Sequence, residues 1–138
     1  MEWFGQDIFE QAEGQQDRAA YEKARSNALR LAGEEGIDRL LRESGATLLI
    51  APTGGPAWLT DLVLGDRFEG SIGAGSLAAV AGYPHLTVPM GAVKGLPVGL
   101  SIMGAKWDDH RVLQAGAAYE RARTQPLAPE PFAAQVIE

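Results

Sequence analysis

The segment that most constrains what this chain can fold into is Ala79–Gly104, AVAGYPHLTVPMGAVKGLPVGLSIMG. It holds three prolines, Pro84, Pro89 and Pro97, and five glycines, each beside or inside an apolar run. Prolines remove amide donors and glycines favour turns, so no helix runs through such a stretch and its strands must be short. HLTVPMG is predicted as one strand, stopped by Pro89, and KGLPVGLSIMG as the next. A turn centred on Lys94-Gly95 makes the two a hairpin or near neighbours. The prolines are placed at strand starts or on sheet edges, because a central strand cannot spare their amides.

The flanking sequence supplies helices and one more strand. Trp3, Phe4, Ile8 and Phe9 fall at helical spacing, with a break expected at Gly14. A second helix is predicted from Asp17 to Leu31, capped by Asp17, striped by Ala20, Tyr21, Ala24, Ala28 and Leu31, and stopped at Gly33. Ile37, Leu40 and Leu41 mark a short helix ending near Gly45. Ala46–Pro52, ATLLIAP, is continuously apolar, which predicts a strand buried on both faces of a parallel or mixed sheet. A long Gly/Pro/Asp-rich connection follows, of a length that often carries function. Ser76–Ala81 is read as a short helix ended by Gly82. Asp108 or Asp109 is expected to cap a last helix whose buried side is Val112, Leu113, Gly116, Ala117 and Tyr119. Pro126, Pro129 and Pro131 predict an extended tail.

The expected architecture is α/β: a small mixed sheet of about three strands flanked by helices, forming one partial domain over residues 1–138. Residues 1–45 are helical, 46–125 form the α/β body and 126–138 the tail. So few strands leave sheet edges and apolar faces that favour another chain, so self-association through the exposed sheet surface is one expected partnership.

Composition limits the function classes. The net charge is −6 with no basic block, which argues against nucleic acid as a partner. No cysteine is present, so disulfides, thiolate metal sites and a cysteine nucleophile are excluded. No apolar run approaches the roughly 20 residues of a membrane span, and MEWFGQDIFEQAEG lacks the pattern of a secretory signal. The expectation is a soluble, cytoplasmic chain without membrane association, metal or cofactor.

Several residues bear on possible chemistry. Gly73-Ala74-Gly75-Ser76 lacks the lysine of a phosphate loop and reads as loop glycines before a serine cap. GLSIMG, Gly99–Gly104, departs from the hydrolase elbow because its second glycine comes one residue late and no helix follows at once. Ser101 therefore reads as an alternating strand residue. His85 and His110 have no ligand spacing, and a Ser101–His–Asp triad depends on convergence in space. Trp58, Asp61 and Asp66 lie on the long connection, where an aromatic and carboxylates can line a substrate entrance or simply face solvent.

LLIAPT (Leu48–Thr53), AAVAGYPHLTVPMG (Ala78–Gly91) and GLPVGLSIMGAKWDDHRVLQAGAAYE (Gly95–Glu120) together resemble the C-terminal end of the amidase signature family. The opening WFGQDIFEQAEG resembles a helix just upstream in bacterial members. The resemblance implies that the strands belong to a larger mixed sheet, and that Pro84, Pro89, Gly91, Pro97 and Gly99 are architectural. It also implies an amide hydrolase acting through an acyl-serine, with a Ser nucleophile, a bridging Ser in a cis peptide and a Lys base in an N-terminal Gly/Ser-rich signature. Nothing in these 138 residues resembles that GGSSGGS signature, and Lys23, Lys94 and Lys106 have no such partners. The expectation is thus no catalytic residue in this chain and no activity alone. The N-terminal portion of an amidase is the expected partner, and a small amide is bound only in the complete enzyme. Trp58 and Asp61 are the candidate substrate contacts.

Overall fold

The computed structural model describes residues 5–14, 17–65 and 73–124. The expected tail, and the placements of Trp3, Phe4 and Asp66, lie outside them. Ile8 and Phe9 fall in helix α1 (Asp7–Gly14), on its exposed surface. Helix α2 (Arg18–Ala32) begins as expected, with Asp17 Oδ1 accepting the Ala20 N–H at 2.9 Å. Its apolar stripe stays largely exposed, with Ala32 its one buried residue.

Gly33 caps the α-helix as expected, but the helical path does not break there. The Gly33 N–H bonds the Leu29 carbonyl, and the path runs through a π-helical segment, Gly33–Asp38, into helix α3 (Arg39–Ser44). The glycines permit this route by close approach. A Cβ at Gly36 would lie 2.7 Å from the Leu31 carbonyl oxygen, and one at Gly33 would lie 3.1 Å from the Tyr83 hydroxyl. The wider turn aims Ile37 inward, where it is fully buried. Gly45, at φ +66°, ends α3 as its glycine predicts.

Three strands follow: β1 (Leu49–Pro52), β2 (His85–Val93) and β3 (Leu96–Met103). The expected three-stranded sheet is present, in the order β1-β3-β2, and its pairings are antiparallel throughout rather than mixed. The hairpin dictates the β2–β3 pairing: Val93 faces Leu96 across Lys94 and Gly95, whose φ angles of +51° and +81° suit a tight primed turn. β1 adds to the other side of β3 and runs against it. Pro89 does not end β2. The register shifts between Pro89 and Gly91, and the strand continues to Val93. A bulge on a strand with one open edge tolerates the missing amide donor.

Helix α4 (Gly75–Ala81) ends at Gly82, φ +70°, as expected. Ser76 does not cap it. Ala74 holds the cap position without a side-chain bond, and Ser76 lies inside the first turn. Helix α5 (Asp109–Ala122) buries Val112 and Gly116 and packs Tyr119 against the core. Leu113 and Ala117, expected to be buried, are exposed because they lie one position off that i, i+4, i+7 stripe.

The sheet thus has two differently covered faces. On one, Met103 and Leu49 pack with Ile37, Leu41 and Ala78 from the helical layer. On the other, Val88, Ile102 and Leu86 pack against Val112, Ala115 and Tyr119 of α5. The cover is incomplete on that second face. α5 lies over β2 and β3, and Ile50 of β1 is left 68% exposed. β1 is therefore an edge strand, and the expectation that it is buried on both faces is corrected.

Candidate functional site

The long connection leaves the sheet at Thr53, immediately beyond β1. The Thr53 N–H bonds the Gly99 carbonyl at 2.8 Å, and its own carbonyl accepts the Ala74 N–H at 3.2 Å. Gly54 and Gly73 form an antiparallel bridge beside them. The connection therefore departs and returns at one point, and Trp58 and Asp61 lie between.

Those two residues are brought together. With Leu59 and Leu64 they line an open pocket of ≈ 420 Å³. Trp58 is half-exposed, and Leu59 is 91% exposed, so the walls are apolar and accessible. Asp61 Oδ1 accepts the N–H groups of Leu64 at 2.8 Å and Val63 at 2.9 Å. These bonds, Leu64 first, hold its carboxyl below the ordinary value of 3.8, so it is ionised at neutral pH and organises its own turn. The site thus offers an aromatic face, two leucines and a fixed negative charge.

A second polar group lies on the face of the sheet that the helical layer covers. His85, Thr87 and Ser101 share that face, because Ser101 pairs with Thr87 and His85 with Met103. Ser101 is fully buried. Its hydroxyl donates to Thr53 Oγ1 at 2.9 Å and meets His85 Nε2 at 2.6 Å, and Thr53 donates in turn to Thr87 Oγ1 at 3.4 Å. The imidazole donates to or accepts from the Ser101 hydroxyl according to its tautomer. Beyond Ser101 the chain runs on through two further hydroxyls, those of Thr53 and Thr87. Ser101 and His85 do converge, and with Thr53 and Thr87 they form a hydrogen-bond chain in which Ser101 is buried, His85 and Thr53 are partly buried and Thr87 is exposed. Thr53 and Thr87 carry no signal in the sequence that marks them as members of it.

The remaining candidates lie apart from both groups. His110 sits in the first turn of α5, which covers the opposite face. Among the described residues no cluster of His, Cys, Asp and Glu could hold a metal ion. No helix among them is long and apolar enough to cross a membrane. The Tyr83 hydroxyl donates to Asp38 Oδ2 at 2.7 Å, tying the π-helical segment to the end of α4. Burial first, and then the bond to Asp38, push the Tyr83 phenol up to about 12.

This arrangement, a three-stranded antiparallel sheet with a helical layer on one face and α5 on the other, is a fragment of the amidase-signature fold. A peptide amidase crystallised with the competitive inhibitor chymostatin superposes with a TM-score of 0.84 at 45% identity, over 94% of this chain and 26% of its own. The native peptide amidase of Stenotrophomonas maltophilia gives a TM-score of 0.77 at 42% identity, over 93% of this chain and 26% of its own. A glutamyl-tRNA(Gln) amidotransferase subunit from Streptococcus uberis is 49% identical over 41 residues, 30% of this chain and 8% of that protein. No family model matches the chain. These homologues are amidase-signature proteins, and the chain matches their C-terminal part, spanning about a quarter of the peptide amidases.

Proposed function

We propose that this chain works as the C-terminal portion of an amidase-type amide hydrolase and is inactive alone. The observation that carries the proposal is the match to peptide amidase over 94% of this chain but 26% of that one, in a sequence with no Gly/Ser-rich catalytic signature. In the complete enzyme a serine outside these 138 residues attacks the amide carbonyl, ammonia or an amine leaves, and water releases the acid from the acyl-serine. This chain contributes the sheet and the loop pocket. Trp58 packs on an apolar part of the substrate, and Asp61 orders the turn and presents negative charge. The working compartment is the cytoplasm.

The test is ammonia release from small amides, amino-acid amides and peptide C-terminal amides. The chain alone is expected to give none. Mixed with the N-terminal portion of a peptide amidase, cut where its match to this chain begins, it is expected to restore turnover. Turnover by the chain alone overturns the proposal, and Ser101→Ala and Ser76→Ala then locate the nucleophile. In the reconstituted enzyme, replacing Trp58 and Asp61 with Ala is expected to change the ratio of kcat/KM between bulky apolar and small amides about tenfold, on the scale of apolar pocket contacts. An unchanged ratio removes the loop from substrate contact.

The open edge of β1, with Ile50 exposed on it, favours a second reading. In that reading the chain is a non-enzymatic module that pairs with its own copy. Failed reconstitution together with a stable dimer supports it over the first.

A further inference from the structure

The hydrogen-bond chain from His85 through the buried Ser101 to Thr53 ends where the substrate loop is hinged, and this juxtaposition carries a consequence for selectivity. Thr53 makes four hydrogen bonds: its N–H to Gly99, its carbonyl from Ala74, its hydroxyl from Ser101 and its hydroxyl to Thr87. Gly99 is part of the same fitting. A Cβ there would lie 2.6 Å from Thr87 Cγ2 and 2.9 Å from Thr53 Oγ1, so the glycine leaves the space in which the two threonines meet. Ser101 is on the central strand and fully buried, hence the most rigidly held member of the group. His85 lies against Gly75 at the start of α4, with its Cε1 3.5 Å from where a Cβ would stand. The imidazole stands beside the returning end of the connection while its Nε2 meets the same serine. Both ends of the loop are thus referred to one buried hydroxyl.

We infer that His85, Ser101 and Thr53 are positioning residues that clamp the base of the loop bearing Trp58 and Asp61, and so set the substrate preference of the loop pocket without touching substrate. The inference rests on the reading of that loop as a substrate contact. The clamp itself is a property of the isolated chain and is tested there. Thr53→Val keeps the shape of the side chain and the backbone bonds and removes the hydroxyl. Thr53→Ser keeps the hydroxyl and loses a methyl.

Two readouts are made on the 138-residue chain with Trp58 as its sole tryptophan (Trp3→Phe, Trp107→Phe). They are amide exchange at Ala74 and acrylamide quenching of Trp58. Thr53→Val is expected to speed Ala74 exchange by about tenfold, the equivalent of one lost net hydrogen bond, and to raise Trp58 quenching. Exchange at Ile102 and Val112 in the core should stay within the change in global stability. Thr53→Ser is expected to return both readouts toward the parent values. In the reconstituted enzyme, Thr53→Val should raise KM for bulky amides while leaving kcat for the smallest amide nearly unchanged. Unchanged Ala74 exchange and Trp58 quenching in Thr53→Val overturn the clamp, as does failure of Thr53→Ser to rescue. Loosening of the loop without any shift in KM keeps the clamp and overturns the substrate role of the loop, so the two ideas fail separately.

Discussion

At the scale of single residues, what is absent matters as much as what is present. Gly99 leaves room for Thr53 and Thr87, and any Cβ must displace atoms of both side chains. Gly99→Ala is expected to destabilise the fold by about 1–3 kcal/mol, the range for overpacking a filled site. Denaturant unfolding measures it, and a change under about 0.5 kcal/mol, the ordinary surface range, contradicts the tight fit. Tyr83 gives a pH signature. Its phenol ionises at an ordinary 10.0 when unfolded but is raised to about 12 in the fold by burial and by the Asp38 carboxylate. A raised folded value means that this contribution is complete below pH 10 and is lost as pH climbs from there through 12. Stability of the parent chain should therefore fall more steeply over that interval than that of Tyr83→Phe. The variant should be weaker by about 1–2 kcal/mol at neutral pH, because Asp38 loses its charge-assisted partner. Parallel pH curves would remove Tyr83 as the cause.

At the scale of elements, the hairpin shows what a sequence exposes and what it conceals. Lys94-Gly95 marks the turn correctly, and a lysine at φ +51° is the less comfortable of the pair. Lys94→Asn supplies a residue that tolerates this conformation and is expected to add about 0.5–1 kcal/mol, read as a rise of a few degrees in Tm. No rise would mean the turn is not strained. Counting back from that turn with simple alternation places Ser101 opposite Val88. The observed partner is Thr87, because the bulge between Pro89 and Gly91 removes one residue from the register. A one-residue slip changes which side chains share a face, so the Ser101–Thr87–Thr53 group is hidden behind a proline that reads as a strand end. Pattern reading succeeds where a local cause acts alone: Asp17 at the cap of α2, Gly45 and Gly82 at left-handed helix ends, the two-residue turn. It misses what lies beyond the local signal, as after Gly33, where the α-helix ends but the path goes on as a π-helical segment. The pairing of Trp58 with Asp61 in one pocket is legible only as an aromatic and a carboxylate on a long connection. The hydrogen bonds at its base arise from residues far apart in sequence.

At the scale of the whole molecule, the described residues form two modest cores, one on each face of a sheet with two open edges. α5 covers β2 and β3 but leaves Ile50 exposed on β1, and Leu62 and Val63 add apolar surface from the loop. A surface of that kind is stable in water only with a cost that another chain can relieve. On the function proposed above, the partner is the remaining polypeptide of a complete amidase. In its absence a second copy of this chain can occupy the β1 edge. The chain alone at about 100 µM, where weak pairing is populated, is therefore expected to sediment above the monomer mass. Ile50→Lys, which places a charge on the open strand in the manner of natural edge protection, should return it to monomer without loss of helix content. The N-terminal portion of a peptide amidase should do the same for the unaltered chain, since it competes for the same surface. Displacement by that portion but not by Ile50→Lys would move the self-contact away from β1. A monomer at every concentration would end the self-association reading while leaving the amidase reading intact, because a surface that rejects its own copy can still accept the complementary part of an enzyme.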